Sequence, residues 1–418
     1  FGLFAGCSLG AIAAATNLRV GGRASYRRHT RIDGDYLASL VAALGDDAGF
    51  RRAATYRPNT SLYRVGGQIR YAEARVTARR RAYRLAAVES DEPLEATLAR
   101  ASGGARVDEL AQALVGDDVA RAEADEFIAQ LVDSQLLVSD LEPQVTGAEP
   151  LCALVDTLRA AAAEHPAAAA VAQRLAAAQA ALRALDDAPL GATPDAYRAI
   201  ADGLAELPAP IDLSCLLQVD LVKPASDATL GGEPLAEIQR AVALLHRWSR
   251  PPRLIKRFSE AFEERYGARE VPLAEVLDEE LGIGFDRSHA PTSEAAPLLE
   301  GLSFGKPAGP DTPAGPFFGV LIDKLAAALR ANADEIVLDE RDVEQLAEAA
   351  AESRGSEAPP PLPDSLAALV SVATPAAGDS AAADFRLLVH AVAGPSGASM
   401  LARFCHADER LAQEVRAH

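Results

Sequence analysis

Residues 61–76, "SLYRVGGQIRYAEARV", leave the chain few conformational options. Apolar and polar residues alternate on both sides of Gly66-Gly67, the period-two pattern of a half-buried strand. The glycine pair supplies the positive φ angles that a tight hairpin turn demands. Two antiparallel strands are therefore predicted here, and "RRRAYRLAAVE" (79–89) adds a third. Three helical patterns follow at 92–101, 107–115 and 121–134, and "LLVSDLEPQVTG" (136–147) returns as a strand. Two helices with a short strand behind them have the spacing of a helix-turn-helix with a wing.

That motif commonly binds DNA, but its second helix, "RAEADEFIAQLVD", is acidic, and phosphates would repel it. The same scaffold can take an extended peptide against an exposed strand edge, and this reading is preferred. A DNA-binding regulator is the weaker alternative.

Around this element the chain mixes strands and helices throughout. "FGLFAGCSLGAIA" at the start is expected to be a glycine-punctuated strand. "SYRRHTRIDGDYLASLVAAL" (25–44) runs from a strand into a helix, with Asp33 at the helix start, where a carboxylate suits the dipole. Residues 150–207 read as two long Ala-rich helices, and 213–225 as a strand interrupted by Asp220. Amphipathic helices follow, then an acidic Gly-rich stretch at 286–315, further helices, the loop "RGSEAPPPLPDS" and two final strands. The predicted class is α+β: mixed sheets with helical segments and an embedded winged-helix-like, peptide-recognising element. The expected divisions are 1–60, 61–143, 144–212 and 213–418.

Charge is unevenly spread. Residues 1–86 carry 15 Arg against 5 acidic side chains, whereas the whole chain has a net charge of −19. A basic head on an acidic body implies local attraction for an anionic partner, not general polyanion binding. With 49% hydrophobic and 24% charged residues, the composition is that of a globular chain. No segment reads as a membrane span or secretory signal. Four scattered cysteines, Cys7, Cys152, Cys215 and Cys405, form neither a disulfide framework nor a metal pair, which fits a cytoplasmic setting. The start at Phe1 and the unstopped helical pattern "LAQEVRAH" lead us to expect a piece of a longer protein.

No phosphate-cradling loop, zinc spacing or nucleophile elbow is present, so no metal or cofactor is expected. Three charges resist a simple structural explanation. Asp220 interrupts strand apolars, and if buried it needs a cation. Asp33 shares a strand face with Arg31. Arg403 follows a glycine-containing loop in "VHAVAGPSGASMLARFCH". They could form a structural ion network. Alternatively they line a polar pocket for an amino acid, with Arg403 on its carboxylate and an Asp on its ammonium. A second basic feature is "RAVALLHRWSRPPRLIKRF" (240–258), with six Lys/Arg and no acid. There Arg253, Lys256 and Arg257 fall on one helical face near Arg250, as a phosphate-contacting patch or a solvated surface.

Five stretches, "FGLFAGCSLG", "RIDGDYL", "RPNTSLYRVGGQIRYAE", "FSEAFEERYGAREVPLAEVLDEELGIGF" and "SGASMLARF", carry a resemblance in order. The chain resembles the N-terminal, tRNA-dependent glutamylation domain of the lantibiotic dehydratase family, the class I lanthipeptide dehydratases. The resemblance implies glutamyl transfer from glutamyl-tRNA, as co-substrate, to Ser/Thr of a precursor peptide. Elimination to dehydroalanine or dehydrobutyrine then follows in a domain expected to be missing here. It implies Asp33, Asp220 and Arg403 as glutamylation residues, and 61–143 as the leader-peptide recognition element. Arg31, Arg250, Arg253, Lys256, Arg257 and His406 are further candidates for substrate or tRNA binding. The family's tRNA-binding Arg and Thr just before "FGLF" would precede Phe1. The implied partners are a leader peptide and glutamyl-tRNA, with a cyclase, a second copy of the chain and a membrane-associated biosynthetic complex as further candidates. A peptide aminoacyl-tRNA ligase and a non-catalytic leader-binding scaffold are the competing functions.

Overall fold

The computed structural model describes residues 6–77, 80–144, 147, 149–225, 227–249, 253–278, 281–285, 316–354, 361–373, 385–394 and 396–417. In chain order the first elements are β1 (Gly6–Cys7), β2 (Ala11–Ile12), β3 (Arg27–Ile32), α1 (Gly34–Gly45), α2 (Ala48–Ala53) and β4 (Tyr56–Pro58). Next come β5 (Tyr63–Val65), β6 (Gln68–Thr77), β7 (Arg80–Glu89), α3 (Glu92–Ala101), α4 (Val107–Leu114), α5 (Arg121–Asp133) and β8 (Leu137–Ser139). Helices α6 (Pro150–Ala161), α7 (Pro166–Asp187) and α8 (Pro194–Leu204) precede β9 (Leu217–Val222), β10 (Thr229–Leu230), α9 (Gly232–Trp248), α10 (Arg253–Tyr266) and α11 (Leu273–Leu277). The chain ends with α12 (Pro316–Arg330), α13 (Glu340–Arg354), β11 (Ala367–Ala373), β12 (Arg386–Ala393), α14 (Ala398–Leu401) and α15 (Glu409–Ala417). The class is α+β, with small sheets among many helices.

Contacts divide the chain into two units. The first comprises residues 1–10, 18–228 and 401–417. Its central sheet has the order β1-β9-β3, with β9 parallel to β1 and antiparallel to β3. The hairpin forms at Gly66 and Gly67, with φ of 59° and 79°, and builds the sheet β5-β6-β7. Only glycine adopts two consecutive left-handed residues cheaply. Asp33 and Asp91 start α1 and α3 by accepting backbone N–H groups, which satisfies donors the helix leaves open. Tyr36, Leu37, Leu40, Val41 and Leu44 give α1 a helical-period buried stripe. That stripe joins a core with Leu98, Leu110, Ile128, Leu158 and Leu175, all nearly without exposed surface. The edge of β3 is closed by α7: Asp186 accepts from the Thr30 N–H at 2.7 Å and the Thr30 hydroxyl at 2.6 Å.

The second unit comprises residues 11–17, 229–400 and 418. In it β2 pairs in parallel with β10, and β11 pairs antiparallel with β12, interrupted by a bulge at Leu369/Val370. A Cβ at Gly231 would fall 1.8 Å from the Ala13 carbonyl oxygen, so this crossing admits only glycine. Leu346 and Ala350 on α13 are fully buried and Ile238 on α9 nearly so.

Several expectations need correction. The opening strand is two separate two-residue strands, with residues 1–5 outside the described set. Two Ala-rich helices are in fact three, because Pro166 and Pro194 each begin a helix. The strand after α5 is only three residues and pairs with β4, which the alternation test missed along with α2. The Gly/Ser loop before Arg403 continues as a helical turn, α14 followed by a 3-10 turn at Ala402–Phe404. The acidic stretch 286–315 and residues 355–360 of the Pro-rich loop lie outside the described residues.

Candidate functional site

Strand β9 is the middle of its sheet, and alternation sends Gln218 and Asp220 to one face. In the antiparallel register His29 lies opposite Asp220 and Arg31 opposite Gln218, so these four share that face. The 3-10 turn at Ala402–Phe404 brings Arg403 onto it.

Asp220 has no exposed side-chain surface. Its Oδ1 accepts from Arg403 Nε at 3.2 Å and Nη2 at 2.5 Å. Arg31 Nη2 stands 3.7 Å from Oδ2 and donates to the Arg403 carbonyl at 3.3 Å. Arg31 Nε donates to Gln218 Oε1 at 3.1 Å. Removing one partner of such a buried pair is costly, so this acid and its arginines stand or fall together. Two guanidiniums face one carboxylate, which leaves a net positive charge. Arg403 keeps 38% of its side chain exposed, against 14% for Arg31, so the excess charge meets solvent mainly at Arg403. The Arg403 guanidinium also lies 5.1 Å from the centre of the buried Phe404 ring.

Asp33 is not in this contact set. It continues the β3–β9 ladder through its N–H to the Leu216 carbonyl, and its half-buried carboxylate accepts from Asp35 N at 2.9 Å. Among the described residues no ion pair ties it to Arg403 or Arg31. His406 is near the cluster: desolvation first, then Arg31, holds its pKa below the ordinary value, with His29 adding and Glu149 and Asp220 opposing. Burial, reinforced by Asp408 and Asp220, pushes the Cys7 thiol up. A cleft of ≈ 990 Å³ lies between β3 and α7, lined among others by Tyr26, Arg27, His29, Arg183 and Ala407. His29 Nε2 is buried there, without a hydrogen-bond partner among the described residues.

The second basic feature belongs to the other unit. Arg250 and the Arg253 side chain lie outside the described residues. Lys256 stands 3.9 Å from Glu260, which partly neutralises it, and Arg257 is exposed. Sequence reasoning missed Gln218, His29 and Glu149. Gln218 was findable, since it sits two residues before Asp220 and so shares its face; Glu149 had no local signal.

The family model described as "Lantibiotic dehydratase, N terminus" matches residues 1–418. The chain belongs to this family. Among solved structures, this lantibiotic dehydratase N-terminal chain is similar to the tRNA dependent lantibiotic dehydratase MibB from Microbispora sp. 107891. That likeness has 25% identity and a TM-score of 0.65 over 91% of this chain and 36% of that one. The fold is also that of the glutamylation domain TbtB from thiomuracin biosynthesis, at 18% identity and a TM-score of 0.50 over 97% of this chain and 48% of that one. The chain thus spans less than half the length of either structure. None of the curated proteins compared matches it. Among the described residues no helix is long and apolar enough to cross a membrane, and no three His, Cys, Asp or Glu gather as metal ligands.

Proposed function

We propose that this chain transfers glutamate from glutamyl-tRNA to Ser and Thr side chains of a ribosomally made precursor peptide, the first half of their dehydration. One observation carries the reading: two guanidiniums around a single buried carboxylate, with Arg403 turned partly to solvent. Family membership and the likeness to MibB support it.

An aminoacyl ester on a tRNA end is already activated. The peptide hydroxyl oxygen forms the new bond to the glutamyl carbonyl carbon, the bond to the terminal ribose oxygen breaks, and that oxygen takes the proton. Orientation and charge stabilisation are what the protein must supply. Arg403 takes the glutamyl side-chain carboxylate or the terminal phosphate. The sequence left the ammonium-orienting and proton-accepting roles open between Asp33 and Asp220. Lack of exposed surface favours Asp220 as the anchor of Arg403 and leaves those roles to Asp33. Arg250, Arg253, Lys256 and Arg257 are assigned to tRNA phosphates, for which the exposure of Arg257 is the support.

Residues 61–143 are assigned to leader recognition. Strand β7 is outermost in its sheet, and Tyr83 and Leu85 on it are 60% and 54% exposed, which suits an extended peptide adding as a further strand. Elimination of the glutamate and thioether closure by a cyclase are the steps proposed to follow. The test is Arg403→Ala in the intact protein, with glutamylated peptide read by mass spectrometry. Loss of the adduct is expected; full retention rejects the reading. Stable addition of an amino acid at a peptide end would favour a peptide aminoacyl-tRNA ligase instead.

A further inference from the structure

A guanidinium and a carboxylate left to themselves pair fork to fork, with one nitrogen on each oxygen. Arg403 and Asp220 do not. Both Nε and Nη2 of Arg403 fall on Oδ1, and among the described residues the buried Oδ2 has no hydrogen-bond partner. Next to Oδ2 stands Arg31 Nη2, at 3.7 Å too far for a hydrogen bond yet close enough for strong charge attraction.

Arg31 is held by two nitrogens along one edge of its guanidinium. Its Nε donates to Gln218 at 3.1 Å and its Nη2 to the Arg403 carbonyl at 3.3 Å. A closed fork would bring the Arg403 cation against this one, and like charges oppose that approach. Arg403 is therefore held sideways on its acid. Its Nη1 carries no hydrogen bond among the described residues, and the side chain stays 38% exposed.

We propose that Arg31 and Gln218 are positioning residues that keep Arg403 off a closed fork with Asp220, so that its Nη1 remains available to an anionic group of the substrate. The proposal rests on the glutamyl-transfer reading for what that anion is, but not for the geometry. It also reassigns Arg31 from ligand binding, since its Nε and Nη2 are committed inside the cluster and its side chain is only 14% exposed.

The variants are Arg31→Met, Gln218→Leu and the double substitution, made in the intact protein. In the Arg31→Met crystal structure Arg403 is expected to close onto both Asp220 oxygens. KM for glutamyl-tRNA should rise more than kcat falls, with kcat/KM lower by about 10²-fold, the scale of a misplaced binding group. Gln218→Leu should shift KM the same way by less, and adding it to Arg31→Met should change nothing further, because it acts through Arg31. An Arg403 still resting on Oδ1 alone overturns the proposal, as do unchanged kinetics or additive losses. Should Arg31→Met not fold, Gln218→Leu, which removes no charge, is judged by the same fork and the same KM. An inactive wild type would sink the transfer reading, whereas the crystallographic fork would still decide the positioning role.

Discussion

Arg403 places two of its nitrogens on one oxygen of Asp220, a carboxylate with no exposed surface, across 183 residues of chain. Asp220→Ala leaves Arg403 and Arg31 facing each other without their anion. It should destabilise the protein by about 3–5 kcal/mol, the usual cost of breaking a buried pair from one side. Asp220→Asn keeps an acceptor and should cost less, yet still cut glutamyl transfer at least about 10-fold because Arg403 loses its anchor. Thermal denaturation and adduct mass spectrometry read the two effects separately.

Asp186 closes the free edge of β3, taking two hydrogen bonds from Thr30 and lying 3.4 Å from Nε of the buried Arg28. Asp186→Ala strands all three donors and should cost about 3 kcal/mol in urea denaturation. Thr30→Val removes one donor along with its need and should cost much less.

His406 has a pKa below the ordinary value, chiefly through desolvation and the charge of Arg31. The unfolded chain therefore binds this proton more readily than the folded one. Stability should rise with pH up to the unfolded value near 6.5 and fall as the pH drops below it. His406→Gln should flatten that acid-side slope, measured as Tm against pH between about 5 and 7.

Arg64 on β5 grips Glu95 in the first turn of α3 with two hydrogen bonds, and Ser90 adds a third. These hold the Glu95 carboxyl at about 2. Their contribution is complete above the ordinary value of 4.5 and fades as pH falls toward about 2. The pair is largely solvated, so Arg64→Met should cost only about 0.5 kcal/mol while returning Glu95 toward the usual carboxylate range in an NMR titration.

Local signals in the sequence located the hairpin at Gly66-Gly67, the strand-to-helix junction at Asp33 and the three helices from 92 to 134, because period and cap residues act over a few positions. They missed β4 and overestimated the length of β1, β2 and β8, strands of two or three residues whose pairing partners lie far off in the chain. An Ala-rich run hides its breaks, and only Pro194 marked the start of α8. In the site, Asp220 stood out because a carboxylate among strand apolars is costly. That it needed a cation was legible, and a network with Arg403 was one of two readings the residues left open. Gln218 and the sideways placement of Arg403 are tertiary facts that no spacing encodes.

The separation of Asp220 from Arg403 also bears on how the protein is made. When β9 leaves the ribosome, Arg31 is already made, but the arginine that hydrogen-bonds its acid lies 183 positions behind. Until then the middle strand of the first sheet carries a carboxylate with one of its two arginines and no hydrogen bond from the other, which makes its burial costly. That sheet is thus expected to seal late, only after Arg403 has been released, with the hairpin and its helices already formed upstream.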